Sequence, residues 1–158
     1  MLESWIVWLE ATAVSKGLRT SIWLYPIVNT LHILGLGLLL GATVVLDLRL
    51  LGWRRSVSVA SLAPVLLPVA GGGLAVATAA GILLFIARPL DYVFNGLFQI
   101  KLALLALALL NIWWCMSSSA WQQMVSNGQV NTAVKTSAAL SLFLWLAIIF
   151  AGRMIGYR

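Results

Sequence analysis

His32 is the single histidine of the chain, and it stands in LHILGLGLLLGATVVLDLRLL, a stretch otherwise dominated by apolar residues. An imidazole is at once a proton carrier, a hydrogen-bonding group and a metal ligand. Lys101, in FQIKLALLALALLN, and Arg153, in AGRMIGY, are cations in similarly apolar company. Ionisable groups in such surroundings are costly and default to functional hypotheses. One histidine with two cations suits haem b, the imidazole ligating the iron while the cations pair with the propionates. The same set can bind or pass a small ion, copper or an anion, where it lines a pore. Each group also has a plain structural reading. Lys101 and Arg153 can snorkel to headgroups, and His32 can tie two helices together. A third class is an accessory or assembly subunit whose polar groups pair across interfaces with a larger membrane complex.

The elements that hold these residues follow from composition. The chain has 158 residues, 62% hydrophobic and 9% charged, with a mean hydropathy of +1.02. Soluble domains carry about 25% charged residues, so a water-soluble globule is excluded. A bilayer core requires about 20 apolar residues per helix. Four stretches meet that length, at about 22–46, 62–87, 98–116 and 138–157. They predict an all-α integral membrane four-helix bundle, a single transmembrane domain over 1–158. Ahead of it, Leu2, Trp5, Ile6 and Leu9 recur at helical spacing among Glu3, Glu10 and Lys16, predicting an N-terminal amphipathic helix over 1–20 lying in the interface. The acidic start and the lack of a uniformly apolar core argue against a signal peptide. Residues 117–137 read as a polar loop.

Topology then brings the ionisable groups to one level. Odd spans enter where even spans leave, so His32, about 9 Å inside Pro26 along the helix, shares a leaflet with Lys101 and Arg153. Arg88 and Asp91 cap that leaflet. Gly35, one turn after His32, can let a flat macrocycle approach the backbone. Gly71, Gly72, Gly73, Ala77, Ala80 and Gly81 suit close helix packing in the second span. Asp47 and Arg49 read as an interfacial charge pair closing the first loop. Cys115 reads as a small buried apolar residue. Trp23, Tyr25, Trp53, Tyr92, Trp113, Trp114 and Tyr157 suit interfacial belts, and Trp145 a packed position at mid-membrane. Hydrolase, kinase, zinc-protease and phosphate-loop motifs do not occur, and the acidic residues form no evident catalytic pair. Dispersed basic residues exclude a nucleic-acid stripe. The basic flank after the first span points to both termini being periplasmic.

The segments LHILGLGLLLGATVVLDLRLL, TAAGILLF, FQIKLALLALALLN and AGRMIGY resemble a family of small bacterial inner-membrane proteins with four helices. More distantly, their order is similar to the copper-resistance-D membrane domain and to the membrane protoporphyrinogen oxidases that carry haem b. The resemblance implies that His32 is a haem-linked histidine, Lys101 a functional lysine, and Arg49 the arginine of an "RL" element. The oxidase pattern places a further histidine near Asn111, which this sequence lacks. The expectation is a haem- or anionic-cofactor-binding bundle, with His32 as metal ligand and Lys101, Arg153, Gly35 and Arg88 at the cofactor. It is expected to assemble as a homo-oligomer or as part of a membrane complex in the bacterial inner membrane.

Overall fold

The computed structural model describes residues 2–156, with side chains from Ser4 onward. Tyr157, Arg158 and the side chains of Leu2 and Glu3, which enter the expectations above, lie outside the described residues. Eight helices make up the described chain: α1 (Leu2–Ala11), α2 (Ala13–Thr20), α3 (Leu24–Leu51), α4 (Val59–Ala87), α5 (Pro89–Val93), α6 (Gly96–Ser117), α7 (Ser119–Asn127) and α8 (Thr132–Ile155). Helices α3, α4, α6 and α8 are long and apolar enough to cross a membrane. The protein is an all-α, multi-pass membrane helical bundle.

Local chemistry sets the boundaries. The N-terminal segment breaks into two helices at Thr12, whose hydroxyl donates to Leu9 O at 2.7 Å and accepts from Ser15 N at 3.2 Å. It thus closes α1 and caps α2. Ile6 points inward while Trp5, Val7 and Trp8 are exposed, an apolar outer face suited to the headgroup region. Helix α3 continues past the expected end at residue 46 and stops at Gly52, which takes a left-handed φ of 112°. Residues 119–127, expected as loop, are helical. Ser118 caps α7, left-handed Gly128 ends it, and fully buried Met124 anchors it against Leu46, Leu50, Val134 and Ala138.

The spans pack in the order α4, α3, α8, α6. The α3–α4 seam is the tightest. A Cβ on Gly35 would meet Ala77 N at 2.6 Å and Gly73 O at 2.8 Å, and one on Gly73 would meet Leu39 N at 2.5 Å. Only hydrogen at both positions allows these backbones to approach so closely. Helices α4 and α6, by contrast, face each other without close backbone approach. The bundle is therefore a row of three close seams folded around an interior, and α4 and α6 meet through the stacked Phe85 and Phe98 at one end and stand apart beyond them.

Candidate functional site

Two polar centres occupy the interior, one toward each end of α3. The first contains His32. A carbonyl oxygen only accepts, so the 2.7 Å contact between His32 Nδ1 and Ala77 O fixes the donor: Nδ1–H bonds to the α4 backbone. In the neutral ring this leaves the lone pair on Nε2. Gly81 backs the ring, since a Cβ there would lie 3.1 Å from His32 Cε1. The imidazole is thus held by a hydrogen bond and a wall, both supplied by α4.

Lys101 comes from α6 and acts electrostatically on His32. Its alkyl stem lies over Gly152 of α8, where a Cβ would sit 3.5 Å from Nζ. Glycines at 81 and 152 therefore make room for the two ionisable side chains. Among the described residues Lys101 has no carboxylate partner; the ion pairs there are Arg19–Glu10 at 4.0 Å and Arg88–Asp91 at 3.9 Å. Arg153 follows Gly152 and is exposed. His32 and Lys101 are thus within electrostatic range of each other. Arg88 lies above them over the Tyr25 ring, 5.9 Å from its centroid. Phe98 stacks on Phe85 at 5.7 Å and lies 5.3 Å from Tyr92. Burial holds the Tyr92 phenol above its ordinary value; Tyr25 adds to this and Arg88 opposes it.

Two expected roles are corrected. Gly35 does not border a space for a macrocycle, because the α4 backbone at Gly73 and Ala77 fills it. Asp47 and Arg49 are not a charge pair. Residues two apart on a helix point away from each other. Arg49 instead turns to the α3–α4 loop, with Nε donating to Val57 O and Nη2 to Arg55 O at 3.1 Å.

Asp47 belongs to the second centre, a cavity of about 260 Å³ bounded by α3, α4, α6, α7 and α8. Its walls are mostly apolar, including Leu39, Leu66, Leu74 and Ile112, but three buried polar atoms on it have no hydrogen-bond partner: Asp47 Oδ2, Ser141 Oγ and Trp145 Nε1. Asp47, Ser141 and Trp145 are 6%, 4% and 1% exposed. Ser141 lies beside the Asp47 carboxyl. Asn111 and Ser137 close one side with a reciprocal pair, Asn111 Nδ2 donating to Ser137 O and Ser137 Oγ to Asn111 Oδ1, both at 3.0 Å. Sequence reasoning missed this centre because it ended the first span at residue 46, which put Asp47 at the interface. The signal was an acid among leucines, at 46, 48, 50 and 51 in LDLRLL, that carry the helix pattern past it.

Among the described residues no three His, Cys, Asp or Glu side chains gather as a metal site. No family model matches the chain, and no curated protein or solved structure is significantly similar to it.

Proposed function

We propose that this protein is a small bacterial inner-membrane protein that binds haem b, or a similar anionic cofactor, at the His32–Lys101 centre. The observation that carries the reading is the hydrogen bond from His32 Nδ1–H to Ala77 O. Ligating histidines generally donate their other ring N–H to a carbonyl or carboxylate, which fixes the tautomer and orients the ligating atom. Here that bond leaves the lone pair of the neutral ring on Nε2. Lys101 supplies a cation within electrostatic reach, suited to a propionate, and Arg153 and Arg88 stand at the same end of the bundle. Haem supplies a one-electron couple whose potential follows its axial ligand and burial. The resemblance to haem-carrying membrane oxidases runs in the same direction. With a single histidine, the iron would be five-coordinate, or would take a further ligand from Met154, another non-histidine group, or His32 of a second copy in a homo-oligomer.

Purified protein from haem-replete cells should show a Soret band, with sharpened α and β bands after dithionite reduction. His32→Ala should remove that spectrum while keeping the helical circular dichroism, and Lys101→Ala should lower haem occupancy. A colourless, folded wild-type protein, or an unchanged His32→Ala spectrum, overturns the assignment.

A second reading, transport of a small ion, is favoured by the open α4–α6 side and by ionisable groups near both ends of α3. It predicts flux in liposomes that falls with Lys101→Ala. The basic loop after α3 supports a cytoplasmic α3–α4 connection with both termini periplasmic.

A further inference from the structure

Asp47, Ser141 and Trp145 pose a problem that the His32 centre does not solve. The two centres lie about 22 Å apart along α3 at 1.5 Å per residue. A buried polar atom left unpaired costs about 1–3 kcal/mol, and native interiors rarely retain one without reason. Here Trp145 Nε1 and Asp47 Oδ2 line one cavity, with Ser141 near enough to the Asp47 carboxyl to share a hydrogen bond with it. Largely apolar walls with a few convergent polar groups are the usual construction of a small-molecule site.

Donor and acceptor inventory narrows the occupant. Trp145 Nε1–H only donates, so the occupant must accept there. Asp47 Oδ2 accepts when the carboxyl is ionised and the carboxyl can donate when it is protonated, so a group that both donates and accepts suits either state. Ser141 can do either. An ammonium head has donors and no acceptor, which would leave the indole N–H unpaired. A carboxylate head has acceptors and no donor, and its own charge would be costly among these mostly apolar walls. A hydroxyl has one proton and two lone pairs and can meet both demands with one atom. Water also can, but the walls of this space of about 260 Å³ are mostly apolar, and its polar side chains, Thr43, Asp47, Asn111, Ser137, Ser141 and Trp145, cover only part of them. The remaining volume suits an apolar body.

The route in is lateral. Gly71 of α4 and Leu109 and Met116 of α6 line the cavity and are themselves exposed. A Cβ on Gly71 would meet nothing within 4 Å. We propose that this cavity is a second binding site, independent of the His32 centre, for a membrane-soluble alcohol or phenol whose hydroxyl donates to Asp47 and accepts from Trp145, with its apolar body entering between α4 and α6.

The test uses full-length protein in nanodiscs and 6-fluoro-2-naphthol as probe, followed by ¹⁹F NMR, against 2-fluoronaphthalene and a fluorinated naphthylmethylamine. Empty nanodiscs set the partitioning background. The naphthol should bind saturably and at least about tenfold more tightly than either comparator, the size of one well-made buried hydrogen bond. Trp145→Phe and Asp47→Asn should each weaken it by about tenfold. Gly71→Phe, at the exposed mouth and away from the polar atoms, should slow or abolish binding even if the interior variants fail to fold. His32→Ala should leave naphthol binding intact, so loss of haem and loss of this site are read separately. Equal binding of naphthol and fluoronaphthalene, binding indifferent to Gly71→Phe, or a cavity holding only water that the naphthol does not displace overturns the proposal.

Discussion

Glycine does two different jobs in this protein, and the difference can be measured. Gly73 and its neighbour Gly72 have the same side chain on the same helix, yet a Cβ on Gly73 would clash with the α3 backbone while one on Gly72 would meet nothing within 4 Å. Gly73→Ala should therefore force the α3–α4 seam apart and destabilise the protein by about 1–3 kcal/mol. Gly72→Ala should stay within about 0.5 kcal/mol. Thermal or denaturant unfolding in one detergent compares them, and equal losses would contradict the packing described. Sequence alone identified the second span as a small-residue helix but did not say which glycines face a neighbour. The run Gly71-Gly72-Gly73 covers most of a helical turn, and only the partner's position singles out the third. Similarly, the electrostatic range between His32 and Lys101 is in keeping with the shared depth that span topology implies. Gly35 was misassigned because depth does not fix the direction in which a helix face points.

The α3–α4 connection shows why element ends are harder to read than element cores. Hydropathy located four helices, but an apolar stretch and a helix are different things. Leucines at 48, 50 and 51 carry α3 beyond Asp47, and left-handed Gly52 stops it. That extension buries Asp47 and swings Arg49 onto the loop, where it binds the carbonyls of Val57 and Arg55. Arg49 therefore holds the loop that delivers the chain into α4. Arg49→Ala should cost about 2 kcal/mol, in the range for hydrogen bonds made by a charged group, and should increase protease nicking between residues 52 and 58. Arg49→Lys, which lacks the planar fork, should recover only part of that loss. A variant as stable and protease-resistant as wild type would show the loop to be held by something else. Helix α7 repeats the lesson: its polar residues read as loop, and the cap at Ser118 with Met124 in the core makes it a helix.

At the scale of the whole molecule, an even number of spans places α1, α2 and α5 at one end and the α3–α4 loop and α7 at the other. The orientation proposed above predicts that a cysteine at Gln122, in a Cys115→Ala background, resists a membrane-impermeant maleimide in intact cells and reacts after permeabilisation. A cysteine at Val14 should react in both. The reverse pattern would invert the protein in its membrane and place the His32 centre in the other leaflet. Composition was enough to make this a membrane protein, because 9% charged residues cannot clothe a water-facing surface. The arrangement of the spans was not legible, since apolar helices of similar length carry little information about which neighbours they choose.

The seam missing between α4 and α6 means that the protein does not finish its own enclosure. In a bilayer, acyl chains would border the interior on that side wherever side chains such as the stacked Phe85 and Phe98 do not close it, so the surrounding lipid would become a structural component of the interior. Chain length and unsaturation then become variables of the fold itself, acting on α4–α3 and α6–α8 as two leaves hinged along the contact of α3 with α8.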